Sequence, residues 1–154
     1  MENLEFDTVS MSNGDVIFTE GEISNYLYIV LKGKVKILVN SKGKLMPVSS
    51  IGEKDFIGEL SLFNNEKRTA SAIAVEDTEL ALVKKSELNV ILKNCPDWVE
   101  NIMLTLTDRL KQTTFTLSEN GINSLDENEK FINEDDLAFY MKNIRDYKKR
   151  RGIT

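Results

Sequence analysis

Short apolar runs, each closed by a polar turn with a glycine, fill the first half of the chain. Val16-Ile17-Phe18 runs into Glu20-Gly21-Glu22, and residues 27–31 run into Lys32-Gly33-Lys34. Val35, Ile37 and Val39 then alternate with Lys34, Lys36 and Leu38, the period of a strand buried on one face. Asn40-Ser41-Lys42-Gly43 has the composition of a hairpin turn in which glycine supplies a positive φ. Ile73 and Val75 alternate with Ala72 and Ala74, and residues 80–83 close the run. Regularly spaced strands over residues 6–83 predict a small sandwich or barrel-like roll.

The period changes near Lys84. Leu88, Val90, Ile91 and Leu92 predict a short helix over residues 86–93, and Asn94-Cys95-Pro96-Asp97 ends it and starts the next. Val99, Ile102, Leu106, Leu110, Thr113 and Leu117 recur at spacings of three and four, widened by Met103 and Leu104. They predict one long helix over 98–117 with a single apolar stripe. Residues 119–132 read as an acidic linker. Asn133 then suits an N-cap, followed by Glu134, Asp135 and Asp136 where a helix dipole favours acids. Leu137, Tyr140, Met141, Ile144 and Tyr147 mark one face of a final helix that ends in Lys148-Lys149-Arg150-Arg151. The expected class is α+β. A roll with its following helix spans 1–118, the linker 119–132, and an amphipathic helix with a basic end 133–154.

Composition narrows the chemistry. The chain has 154 residues, enough for one domain with a real core, and a net charge of −5 that disfavours general nucleic-acid binding. It contains no histidine, so the commonest general base and metal ligand are both missing. Cys95 is the single cysteine and no disulfide can form within the chain, which suits a reducing compartment. No signal peptide and no membrane span are legible. A cytoplasmic, non-catalytic domain without metal or cofactor is the expectation.

Residues 56–70, Phe-Ile-Gly-Glu-Leu-Ser-Leu-Phe-Asn-Asn-Glu-Lys-Arg-Thr-Ala, carry the candidate chemistry. Glu59 offers a carboxylate to a sugar hydroxyl, and Arg68 a cationic fork to a phosphate. A helix starting near Glu59 offers free main-chain N–H groups. The small neighbours Gly58, Ser61, Thr69 and Ala70 leave room for a ligand. The plain structural reading makes Glu59 a helix-start charge and pairs Arg68 with Glu66 or Glu59 on the surface.

The order of these elements and the cassette resemble the cyclic nucleotide-binding domain over residues 13–118. The sensory half of bacterial catabolite activators, with its Phe-Ile-Gly-Glu-Leu-x-Leu-Phe, is the nearest likeness. Gly14, Gly21 and Gly33 fall at the turn positions of that roll. The resemblance implies that Gly58 admits the ligand, that Glu59 accepts from the ribose 2′-OH and that the Leu60 and Ser61 amides face the phosphate. It implies that Arg68 neutralises the phosphate beside Thr69 and Ala70, with Ile37 and Val48 as apolar walls for the base. Thr113 and Thr114 match a hydroxyl pair that touches adenine across a dimer of long helices. Thr69 is also found in cGMP-preferring members, so cAMP is expected ahead of cGMP.

The chain departs from the activators after Ser118, where a linker and one helix stand in place of a DNA-binding domain. No arginine pair of a kinase inhibitor segment is present either. The resemblance therefore implies a stand-alone cyclic nucleotide sensor, a homodimer through the 98–117 helix, acting on a partner by helix rearrangement. The alternative is a roll that has lost its nucleotide and serves as a protein-interaction module; an enzyme is the weakest class. The final helix is free, on sequence grounds, to pack on its own roll or to dock on a partner. A third course is to close over the base as a lid with Phe139 or Tyr140 stacked on it.

Overall fold

The computed structural model of the chain describes residues 6–62, 66–119 and 133–153, with the side chains of Leu60, Ser61 and 114–119 outside that description. Eight strands form two antiparallel sheets among these residues. The strands are β1 (Asp7–Met11), β2 (Val16–Phe18), β3 (Tyr26–Lys32), β4 (Val35–Ser41), β5 (Lys44–Ile51), β6 (Phe56–Ile57), β7 (Ser71–Ala74) and β8 (Thr78–Lys84). One sheet has the order β1-β8-β3-β6, the other β2-β7-β4-β5. Helices α1 (Glu59–Leu62), α2 (Lys85–Lys93), α3 (Asp97–Glu119) and α4 (Glu134–Arg151) complete the fold. This is the antiparallel β-roll of an α+β domain.

The hairpin expected at 40–43 joins β4 to β5, with Lys42 at φ 51° and Gly43 at φ 80°. Two successive positive φ values give the turn whose twist matches the flanking strands. Asn40 closes it by accepting the Gly43 N–H at 3.1 Å. β5 was not distinct in the sequence because Pro47 interrupts it. Pro47 is nevertheless buried within the strand, opposite Leu38, where the β4–β5 register shifts. β5 is an edge strand, the place where a sheet tolerates proline.

The core lies between the sheets. Ile17, Phe18, Tyr28, Val30, Val35, Ile57, Ala72 and Leu80 form it, all buried. The second sheet is apolar on its outer face too, through Val16, Leu38 and Ile73. An irregularity in pairing between Val16 and Phe18 lets Ile17 and Phe18 both join the inner cluster while Val16 faces out. A sheet apolar on both faces needs cover on both.

Helix α4 provides the outer cover. Tyr140, Ile144 and Tyr147 are buried against Val16, Leu38 and Ile73, flanked by Leu45, Val75 and Ile153. The spacing of these three side chains, four then three, is the stripe read from the sequence. Asn133 caps the start by accepting the Asp135 N–H at 3.1 Å, and Gly152 ends the helix in the left-handed region at φ 64°. The lid is therefore not what this structure holds. Tyr140 is used in the sheet-facing core, and Phe139 lies against Gly14. α3 begins one residue earlier than expected and rests against α1 and α2. The predicted linker at 119–132 lies, after Glu119, outside the described residues.

Candidate functional site

Arg68 is the centre of the site, and it is buried, with 4% of its surface exposed. Its guanidinium donates from Nη1 to the Gly58 carbonyl at 2.8 Å and from Nη2 to the Tyr26 carbonyl at 2.5 Å. The same group stacks over the Phe18 ring at 4.2 Å and lies 5.8 Å from the Tyr28 ring centroid. A planar fork held by two carbonyls and an aromatic face has one orientation only. Arg68 is not a surface side chain, and Glu66 pairs with Lys111 of α3.

Gly58 is what lets the arginine reach this position. It sits at φ 95°, and a Cβ there would collide with Nη1 of Arg68 and lie 3.2 Å from the Tyr26 carbonyl oxygen. Sequence reasoning gave Gly58 a role in admitting ligand. The structure adds a nearer reason, the close approach of the arginine itself. The cassette is not helical throughout. Phe56-Ile57 pairs with Ile29 and Tyr28 of β3, and helix begins only at Glu59.

One cavity of about 220 Å³ gathers most of the predicted residues. Gly58, Glu59, Arg68, Thr69, Ala70, Ile37 and Val48 all line it. Phe18, Ser49, Ile51, Phe56, Ile57 and Leu110 complete the lining. Strands β2, β4 and β5 of one sheet, β6 of the other, α1 and the long helix α3 thus converge on the cavity that holds the Arg68 fork. The walls are mostly apolar and the polar groups cluster at one end, the usual makeup of a small-molecule site.

Electrostatics at the polar end follow from burial. Desolvation raises the Glu59 carboxyl above the ordinary carboxylate range, helped by Asp55; the Arg68 cation and main-chain hydrogen bonds oppose the rise. Burial likewise lowers Arg68 from its ordinary value, while Tyr28, Glu22 and Glu59 support its charge. The pair forms an acceptor and a cation facing one cavity, a matched set for a ligand with both hydroxyl and phosphate groups.

Of the remaining four predicted residues, only Thr113 has a described side chain. Thr113 is exposed, its hydroxyl donating to the Arg109 carbonyl at 2.9 Å, and does not line the cavity of the single chain. The reason is geometric. The lining contribution of α3 is Leu110, and Thr113 sits almost a turn further along. Leu60 and Ser61 belong to α1 and Thr114 to α3, but their side chains lie outside the described residues. Phe18, Phe56 and Leu110 went unremarked as lining residues. Phe18 carried no local signal, since only tertiary packing brings its ring under Arg68.

The family model for the cyclic nucleotide-binding domain matches residues 8–95. The chain belongs to that family. The cyclic AMP receptor protein of Thermus thermophilus is 31% identical over 105 residues, covering 68% of this chain and 49% of the relative. Among solved structures, the cAMP-bound form of the EAL enzyme Bd1971 superposes with a TM-score of 0.67 at 29% identity. That match covers 75% of this chain and 31% of the other. The catabolite activator protein of Thermus thermophilus gives a TM-score of 0.61 at 29% identity, covering 75% and 55%. The chain thus spans about half the length of the Thermus receptor. Both α3 and α4 lie beyond the residues that the cyclic nucleotide-binding domain model matches. No helix among the described residues is long and apolar enough to cross a membrane.

Proposed function

We propose that this chain is a cytoplasmic sensor that binds a 3′,5′-cyclic nucleotide in the Arg68 cavity, cAMP ahead of cGMP, and signals by moving its helices. The observation that supports it most is the convergence of Glu59 and Arg68 on one cavity beside Gly58, Thr69 and Ala70. In this reading Arg68 meets the phosphate, Glu59 accepts from the ribose 2′-OH, and the Leu60 and Ser61 amides face the phosphate. Ile37, Val48 and Leu110 enclose the base. Neighbours whose structures hold cAMP support the ligand class, and the same EAL enzyme also has a cGMP-bound form.

The preference for cAMP rests on α3. Trp98, Ile102, Leu106 and Leu110 form an exposed apolar stripe at spacings of four residues, suited to a second copy of the chain. Thr113 and Thr114 lie at the end of that stripe, where a homodimer would bring a hydroxyl from the partner toward the base. Thr69 inside the cavity pulls toward guanine. Ligand binding is the function here rather than catalysis.

Calorimetric titration of ligand-stripped protein with cAMP and then cGMP tests this. Saturable binding, stronger for cAMP, is expected, with Arg68→Ala losing at least ten-fold in affinity, because a charge-assisted hydrogen bond contributes about 1.5–3 kcal/mol. Folded protein that binds neither would make the roll an interaction module. Equal affinity in Arg68→Ala would move the site elsewhere.

A further inference from the structure

The loop between β2 and β3 touches the candidate site with its backbone and α4 with a side chain. The Gly21 N–H donates to the Arg68 carbonyl at 2.8 Å, and the Arg68 N–H donates to the Glu22 carbonyl at 2.8 Å. Glu22 and Arg68 are therefore locked together through the main chain, and Ile23 pairs with Lys67 beside them. The Glu22 carboxylate, with 17% of the side chain exposed, points the other way. It accepts from the Tyr147 hydroxyl at 3.0 Å and from Nη1 of Arg151 at 3.2 Å, both on α4. It also accepts from the Thr19 N–H at 3.0 Å, which fixes its rotamer.

A second route runs parallel. The Tyr147 hydroxyl also lies 3.3 Å from the Ile17 carbonyl, an alternative acceptor for its one proton, and the next residue, Phe18, carries the ring on which the Arg68 guanidinium stacks. Other polar contacts hold α4 at its middle, where Asn143 donates to the Gly14 carbonyl at 2.7 Å. Near its C-terminus, Glu22 is the shared acceptor for Tyr147 and Arg151.

We infer that Glu22 couples the anion site at Arg68 to the docking of α4, so that an anion on Arg68 and a docked α4 stabilise each other. The argument is electrostatic and depends on the ligand reading given above. When α4 is docked, the Glu22 charge is taken up by the Tyr147 hydroxyl and the Arg151 cation. When α4 leaves, that carboxylate keeps the Thr19 N–H but loses both α4 donors, and Arg68, whose charge it already supports, becomes its counter-charge. It then competes with the phosphate for the same cation, and in a low-dielectric setting such competition weakens binding. Linkage makes the effect reciprocal: whatever factor α4 docking adds to ligand affinity, the ligand adds to α4 docking. The switchable surface is the outer sheet face at Val16, Leu38 and Ile73 together with the α4 stripe that covers it.

Hydrogen exchange of the α4 amides, read by mass spectrometry with and without cAMP, tests the coupling beside calorimetry. Tyr147→Phe should weaken cAMP binding about five-fold or more, and cAMP should slow α4 exchange in the parent by a similar factor. In Glu22→Gln, cAMP should no longer change α4 exchange. A ligand-free arm keeps the two readings apart: Arg68→Lys, which weakens the answer to an undocked Glu22 as a bound anion does, should slow α4 exchange in the parent background and not in the Glu22→Gln background. Exchange in α4 that ignores both cAMP and Arg68→Lys overturns the coupling. If cAMP does not bind, the Arg68→Lys arm decides the coupling alone, and only the ligand reading falls.

Discussion

Helices α3 and α4 have comparable stripes and opposite fates. The α3 stripe is rich in large apolar residues, yet Trp98, Ile102, Leu106 and Leu110 are 62%, 49%, 52% and 52% exposed. The α4 helix is far more polar, but Tyr140, Ile144 and Tyr147 are only 6–7% exposed. Apolar content therefore does not decide which helix docks. What decides is whether a complementary face exists, and the second sheet supplies one for α4 by being apolar on its outer side. The two helices also meet the site differently, α3 through Leu110 at the cavity and α4 through Glu22 behind it.

The sharpest way to break this contrast is paired truncation. Ile144→Ala should cost about 2–5 kcal/mol in urea unfolding, because it opens a hole in a packed face. Leu106→Ala in dilute protein should stay within about 0.5 kcal/mol. Equal losses would mean that α3 is as well covered in solution as α4. If the loss for Leu106→Ala grows with protein concentration, a second copy is the cover.

Leu110→Ala comes next. It should weaken nucleotide affinity by about ten-fold or less, the scale of one truncated apolar contact, while leaving the unfolding midpoint unchanged. A shifted midpoint with intact binding would make Leu110 a packing residue rather than a wall of the site.

The smallest effects are in pH, and the two sides should differ in window. Glu59 is raised by burial, so its folded form holds a proton that the unfolded chain has already lost. Its contribution to stability is thus present below the ordinary carboxylate range and is lost as pH rises through the folded value. A ribose hydroxyl needs the ionised carboxylate, so nucleotide affinity should fall as pH drops through that same raised value, and Glu59→Gln should flatten the profile. Tyr147 is raised as well, first by burial and then by Glu22. Its contribution is complete below the ordinary tyrosine value of about 10 and is lost only above it. Docking of α4 should therefore loosen in alkali, and Tyr147→Phe should remove that dependence. If α4 exchange instead followed the acidic transition, the two sides would not be separate.

The sequence was most informative where chemistry is local. The spacing of Glu59 and Arg68, the small residues between strands, and the stripe of α4 with its Asn133 cap are all legible because short-range periodicity and turn chemistry produce them. Ile37 and Val48, named as walls on the family resemblance alone, line the cavity. What stayed hidden depends on distant pairing. The Phe18 ring meets Arg68 only after β2 and β7 have paired, and Glu22 meets Tyr147 across most of the chain. Pro47 disguised β5 because an edge strand can absorb a missing donor.

Most of the sheet edges offer little template to a neighbouring chain. β6 and β2 are two and three residues long, and β5 carries Pro47 in its middle. Strand-to-strand growth into fibrils needs a long edge with an unbroken row of donors and acceptors. Of the four edges only β1, with five residues, approaches that requirement. The roll thus discourages aggregation through its backbone even when α4 is away and the outer sheet face lies bare.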